Sequence, residues 1–271
     1  MKPSFVYEPA VPWPSNVRAL VTARSGGVSV GGCESFNLAV HVEDDPKAVA
    51  ANRFALEQYL VGSKPMWLKQ VHGLRVVDLD AVSDFQADQI EADGSITAAL
   101  NKACAVLTAD CLPILLASSD GSQVAAVHAG WRGLADGILG RAINAFVQPA
   151  QDLIAYLGPG ISQLHYEVGG EVIDQVLARG KQFSHQYLST CSEQTKNSFA
   201  DALEGSFTAS LNLRPNKFQL DLYAIAKAQL TALGVQQIYG GDYCTFSDDR
   251  WYSHRQNPQG GRFASLIWKI S

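Results

Sequence analysis

The chain has 271 residues, of which 47% are apolar and 17% charged, and its net charge is −5. A chain of this length can bury a sizeable core, and its mild acidity gives no indication of a nucleic-acid or membrane-surface partner. No apolar run approaches the ~18 residues that span a bilayer, and the N-terminus lacks the apolar core of a secretory signal. We therefore expect a cytoplasmic, monomeric protein with a small-molecule partner.

The predicted secondary structure combines many short strands with a few helices. Apolar patterning predicts strands at 17–23, 66–72, 75–79, 104–108, 112–117, 123–129, 153–157 and 263–269. Helices are predicted at 46–61, 133–146, 170–180 and 219–233, with mixed signals between the last two. This succession, without a repeat or a long linker, predicts one domain over 1–271: an α/β (α+β) sandwich with mixed β-sheets flanked by helices.

Cysteine usage also fits an intracellular protein. The five cysteines are odd in number and contain no C-x-x-C pair. In a chain without an export signal, such cysteines are expected to be thiols, so at least one is available as a metal ligand or nucleophile.

Three residues suggest a metal site. His72 and His128 each close a predicted strand, and Cys111 begins another. One thiolate and two imidazoles suit zinc, and a set of three leaves a fourth position open for catalysis. The spacing His-x38-Cys-x16-His matches no short zinc-finger pattern. The alternative therefore stays open that Cys111 is a small buried apolar residue and that the histidines only end their strands.

Several arginines next to glycines are candidates for binding an anion. Arg24 precedes a Ser-Gly-Gly loop, Arg132 stands in a Gly-Trp-Arg-Gly segment at a predicted helix start, and Arg255 and Arg262 flank Gly-Gly. A guanidinium fork pairs well with phosphate, although an arginine in such a position is more often part of a surface ion pair.

Longer motifs carry a family resemblance over nearly the whole chain. They are RSGGVS at 24–29, FNL at 36–38, KQVHG at 69–73, TADCLPIL at 108–115, AVHAGWRG at 126–133, LGPGI at 157–161, YEV at 166–168 and YSHR at 252–255. With these motifs the sequence resembles the YfiH-type, laccase-domain family, also called multicopper polyphenol oxidases and purine nucleoside phosphorylases.

The resemblance implies a zinc site formed by His72, Cys111 and His128. It also implies phosphorolysis of adenosine, inosine and methylthioadenosine, with adenosine deamination as a second activity. Purine nucleosides and phosphate are then the small-molecule partners. The family motifs make Arg24, Asn37 and Gln70 candidates for contacting the substrate.

Two further assignments of residues to these reactions are hypotheses. Asp110, next to the cysteine, is a candidate proton shuttle. Arg132 and Arg255 are candidates for holding phosphate, and the sequence does not show which arginine does so.

The oxidase name conflicts with the histidine content. Multicopper centres require many imidazole ligands, whereas this chain has six histidines and no His-x-His pair. Copper at the zinc site remains possible, with weak phenol oxidation as its consequence. A further alternative is a Cys-His hydrolase of amides or peptidoglycan precursors, which we consider less favoured because the apolar residues after Cys111 do not obviously lower its pKa.

Overall fold

The computed structural model describes residues 3–60, 62–82, 89–210 and 214–271. Its first strands are β1 (Val6–Tyr7), β2 (Val17–Thr22), β3 (Lys64–Met66), β4 (Val76–Asp78), β5 (Gly94–Thr97), β6 (Lys102–Thr108) and β7 (Leu112–Ser118). The later strands are β8 (Val124–Ala129), β9 (Leu153–Leu157), β10 (Glu167–Gly169), β11 (Phe207–Ala209), β12 (Lys217–Leu220), β13 (Gln237–Gly240) and β14 (Phe263–Lys269). The helices are α1 (Pro46–Tyr59), α2 (Trp131–Asp136), α3 (Ile138–Asn144), α4 (Gly170–Tyr187), α5 (Glu193–Glu204) and α6 (Leu222–Ala232).

Two mixed sheets form the centre of the molecule. The first has the order β1-β2-β14-β6-β3, and the second has the order β13-β9-β7-β8-β5-β4. Pairing is antiparallel except at β3–β6, β4–β5 and β9–β13, which are parallel. A separate small sheet has the order β10-β12-β11.

The alternation of side chains along the strands explains the layers. On β7, Leu115 and Ala117 pack into the core between the two sheets, while Leu112, Ile114 and Leu116 point to the opposite face. That opposite face is covered by α2, α3, α4 and α6. Helix α1 covers the outer face of the first sheet. The prediction of a mixed-sheet sandwich flanked by helices is confirmed.

Two predicted elements differ clearly in the structure. The strand predicted at 66–72 ends at Met66, and the following residues lead into the candidate site instead of continuing the ladder. The helix predicted at 133–146 is two helices, because Gly137 between them has a left-handed φ of 90°. Aromatic rings of Phe183 and Tyr187 on α4 pack directly against this glycine.

The other predicted helices are closer to the structure. The segment predicted as a helix at 219–233 begins within strand β12 before the chain enters α6. The helix predicted at 46–61 corresponds to α1, although position 61 lies outside the described residues. None of the helices described in 3–60, 62–82, 89–210 and 214–271 is long and apolar enough to cross a bilayer.

Candidate metal centre

The structure brings His72, Cys111 and His128 together at one end of the sandwich. Their candidate ligand atoms all lie within 4.8 Å of one another. The Cys111 Sγ atom is 3.9 Å from His72 Nε2, and the centroids of the two imidazole rings are 4.7 Å apart. His72 is exposed, Cys111 half-buried and His128 buried, so the cluster has a buried side and an open side.

A single buried carboxylate organises both histidines. Asp93, at the start of β5, accepts a hydrogen bond from His128 Nδ1 at 2.8 Å, which leaves Nε2 of that ring to face Cys111. The same carboxylate accepts the backbone N–H groups of Val71, His72 and Gly73 at 3.2, 2.9 and 2.6 Å. These bonds fix the loop in which His72 has a left-handed φ of 57°, a conformation that costs energy for a residue with a side chain.

The turn between β6 and β7 positions the thiol. Asp110, immediately before Cys111, has a φ of 85° and is almost fully buried. Its two carboxylate oxygens accept hydrogen bonds from the Thr245 hydroxyl and the Arg255 backbone N–H, each at 2.6 Å. These contacts tie the turn to the C-terminal part of the chain and hold Cys111 at the strand end.

Gly130, which has no side chain, lies against Cys111 and His72. A Cβ atom placed on Gly130 would lie 2.9 Å from Cys111 Sγ and 3.2 Å from His72 Cδ2. Any larger residue at position 130 would therefore displace the thiol or the imidazole. Together with the N/S donor set and the carboxylate behind His128, this cradle fits a metal ion bound by the three side chains.

The electrostatics of the cluster stabilise the thiolate. Burial opposes ionisation of Cys111, but the charge of His128 and hydrogen bonds from His128 and His72 outweigh it and lower the thiol pKa to about 6. Burial also opposes protonation of His128, yet Cys111 and Asp93 together raise its pKa to about 9. The groups that lower this pKa are not the apolar residues that follow Cys111 but His72 and His128, which come from distant parts of the sequence.

A cavity of about 300 Å³ opens directly onto the three side chains. That volume lies at the small end of the range of small-molecule sites. Its lining comprises His41, Gln70, His72, Leu107, Thr108, Ala109, Cys111, His128, His254 and Arg262. A larger groove of about 740 Å³ lies between α5 and α6, away from this cluster.

Two of the predicted substrate-side residues belong to the frame around the cavity. Gln70 lines the cavity, but its amide donates to Leu107 O and accepts from Leu107 N, at 2.8 and 2.7 Å. Asn37 is fully buried, and its amide bonds to Ala39, Asp44 and the Arg262 backbone N–H. Both amides therefore fix neighbouring backbone.

The predicted arginines Arg24, Arg132 and Arg255 are not among the residues that line the cavity. Arg24 lies over the Tyr252 ring, and exposed Arg132 lies over the Trp131 ring. Arg255 donates to the carbonyl groups of His165 and Glu167.

The most important residue that the sequence analysis missed is Asp93. The available signal was an acidic residue at the start of a short strand, combined with the rule that a ligating histidine donates its second N–H to an acceptor. His41 and His254 are further cavity residues that were not predicted as site residues, and Arg262, one of the candidate anion-binding arginines, also lines the cavity.

The chain is similar to known proteins over nearly its whole length. Residues 18–270 match the protein family described as multi-copper polyphenol oxidoreductase laccase. The chain belongs to this family. A protein of Pseudomonas aeruginosa named purine nucleoside phosphorylase is 42% identical over 261 residues, which cover 96% of each chain. The Escherichia coli purine nucleoside phosphorylase YfiH is 36% identical over 266 residues, covering 97% of this chain and 98% of that protein.

Solved structures share the fold over almost the full length. The crystal structure of a Neisseria meningitidis protein assigned to DUF152 is 38% identical and has a TM-score of 0.83, covering 98% of this chain and 100% of that one. YlmD from Geobacillus stearothermophilus is 26% identical with a TM-score of 0.79, covering 99% and 100%.

The family description and the site geometry differ in the number of metals. In the part of the chain that the structure describes, His72, Cys111 and His128 are the single group of three or more potential ligands close enough to share an ion. All six histidines lie within that part. The donor set is thus sufficient for one metal ion and not for a cluster of coppers.

Proposed function

We propose that the protein is a zinc-dependent purine nucleoside phosphorylase, one domain over 1–271, that also deaminates adenosine. The substrates would be adenosine, inosine and S-methyl-5′-thioadenosine, which phosphate converts to the free base and ribose 1-phosphate or methylthioribose 1-phosphate. The observation that carries the proposal is the convergence of His72, Cys111 and His128 on a cavity of about 300 Å³. The names of the full-length relatives supply the substrate class.

The donor set favours zinc over other ions. A thiolate and two imidazoles suit zinc, and copper is the alternative occupant because the same ligand types bind it well. When bound, zinc would supply Lewis-acid polarisation of whatever group occupies its open position.

The remaining roles belong to the protein. Asp93 would hold His128 in the tautomer whose Nε2 faces the site and would keep the His72 loop in place. Asp110 is a positioning residue in this account: its oxygens bind the Thr245 hydroxyl and the Arg255 backbone N–H and so hold the turn that carries Cys111. Gln70 and Asn37 would keep the cavity wall rigid, so that a nucleoside is held in one orientation relative to phosphate.

A Cys-His hydrolase is the second candidate. The low pKa of Cys111 and the Asp93 contact to His128 also resemble the arrangement of a nucleophile, a base and an orienting acid. His72 distinguishes the two proposals, because a second imidazole beside the thiol is needed for a metal and not for a nucleophile.

Turnover of adenosine by metal-quantified protein tests the proposal. We expect adenine release that requires phosphate, and we expect Cys111→Ala to lose both the metal and the activity. A protein that holds zinc but forms no purine product with or without phosphate would contradict the proposal. Loss of activity on an amide substrate after alkylation of metal-free protein would favour the hydrolase.

A further inference from the structure

Arg262 differs from the other candidate arginines in its position relative to the cavity. It lies just before β14 and is the only arginine among the described residues that line the cavity. Its Nη1 atom donates to the carbonyl groups of Gly260 and Gly261 at 2.6 and 3.0 Å, and its Nη2 atom is 3.4 Å from His254 Nδ1. The guanidinium is therefore anchored on one edge and directed along the cavity wall.

Within the described part of the chain, this cation forms no salt bridge with a carboxylate. Among the ion pairs of the described residues, none includes Arg262. The side chain is half-buried, and burial lowers its pKa, although the negative charges of Cys111 and Asp110 oppose that effect. A desolvated guanidinium without a salt bridge is costly, so an anion delivered by a ligand would be favourable here.

The surroundings suit a small oxyanion. His254 lines the same cavity and offers an imidazole N–H group as a hydrogen-bond donor. The backbone of Arg262 is itself fixed, because its N–H donates to the buried Asn37 side chain at 2.9 Å. The Arg262 guanidinium is thus held in place and partly shielded from water, so phosphate could bind to it without a rearrangement of the cavity.

We propose that Arg262, assisted by His254, holds the inorganic phosphate that attacks the nucleoside. The inference rests on the proposed function and adds the location of the second substrate. Phosphate would lie on the Arg262 side of the cavity, and the nucleoside would lie between it and the His72, Cys111 and His128 side chains.

With phosphate bound at this site, the reaction is a nucleophilic substitution at C1′ of the ribose. A phosphate oxygen forms a bond to C1′ while the bond from C1′ to N9 of the purine breaks. The electron pair of the broken bond leaves with N9, and the proton of hydrogenphosphate ends on the purine. The products are ribose 1-phosphate and the neutral base, so atoms and charge balance without an additional reactant.

Kinetics of Arg262→Gln and Arg262→Lys, with full metal content, test the proposal. Arg262→Gln is expected to raise the KM for phosphate on the order of 30-fold, because it removes the charged hydrogen-bonded pair between the guanidinium and phosphate. Lysine keeps the charge without the planar fork, and we expect a rise of about 10-fold. In phosphate-free buffer both variants are expected to keep the melting temperature and zinc content of the wild type, which a general structural defect would not allow. Arg141→Gln removes an exposed arginine on α3 and serves as the control.

Direct anion binding separates this inference from the proposed function. In wild-type protein, inorganic phosphate is expected to raise the melting temperature, and in Arg262→Gln that rise is expected to be lost. If the wild type binds phosphate in this way but releases no purine base, the anion site stands and the proposed function fails. If the wild type phosphorolyses adenosine and both variants keep the wild-type KM for phosphate, the assignment of Arg262 is overturned.

Discussion

The carboxylate of Asp93 lies 2.8 Å from His128 Nδ1 and also accepts the backbone N–H of His72 at 2.9 Å. One side chain thus sets the ring orientation of one candidate ligand and the backbone conformation of another. Burial opposes the charge of this carboxylate, but the hydrogen bonds from His128 and Gly73 outweigh it and lower its pKa. The geometry of the site consequently depends on a residue that does not itself face the cavity.

Replacing Asp93 with asparagine is expected to weaken zinc binding by about 10- to 100-fold, the usual effect of removing such a partner. The amide removes the negative charge behind His128. Its NH2 group would also face either the His128 Nδ1–H group or the backbone N–H groups that Asp93 accepts, so that one donor faces another. Zinc competition with a chromogenic chelator measures the affinity. Asp120→Asn changes an exposed carboxylate that accepts one backbone N–H, from Ser122, and is the control. Equal affinity in both variants would contradict the role of Asp93.

Replacing Gly130 with alanine is expected to reduce the zinc content of the purified protein by more than half. The added Cβ would meet Cys111 Sγ at 2.9 Å, closer than real contacts allow. Gly205→Ala is the control, because position 205 has a right-handed φ of −73° and the nearest atom to an added Cβ is 3.4 Å away. Normal zinc content in Gly130→Ala would show that the thiol has more room than this geometry gives it.

Metal removal is expected to expose a reactive Cys111. Because the pKa of its thiol is about 6 in the metal-free protein, the rate of alkylation by iodoacetamide should rise through pH 6 and level off above it. Zinc should protect the same thiol at every pH. Peptide mass spectrometry measures both, and the buried Cys104, whose pKa is raised to about 12, is the unreactive internal reference. Rapid alkylation of Cys111 in the zinc-loaded protein would exclude it as a ligand.

The sandwich core predicts a strong effect of Leu115→Ala. Leu115 is 0% exposed between the two sheets, so its truncation should lower the free energy of unfolding by about 2–5 kcal/mol. Val147 is 86% exposed, and Val147→Ala should change the free energy of unfolding by less than about 0.5 kcal/mol. Urea denaturation at fixed zinc concentration measures both variants, and similar values for the two would contradict the layered core.

The parts of the fold that could be predicted are those set by local pattern. The short apolar runs at β7 and β8 predicted strands, and the structure confirms them as strands buried along their whole length. The break at Gly137 could not be predicted, because its left-handed conformation accompanies contacts with aromatic rings on α4, far along the chain. Local helix patterning carries no information about those rings.

The same distinction applies to the site. His72, Cys111 and His128 could be nominated from their residue types and their positions at strand ends, and the structure places them together. Asp93 was missed because its partner His128 is 35 residues away, and only the β5–β8 pairing brings them into contact. Arg262 could not be distinguished from Arg255 by sequence, because the difference is which guanidinium faces the cavity.

The most direct test of the central claim is the phosphate dependence of adenosine cleavage by protein of known zinc content. We expect adenine and ribose 1-phosphate in phosphate buffer, no adenine in phosphate-free buffer, and neither zinc nor adenine release in Cys111→Ala. Adenine release that is independent of phosphate, or full activity in a Cys111→Ala protein without metal, would contradict the account.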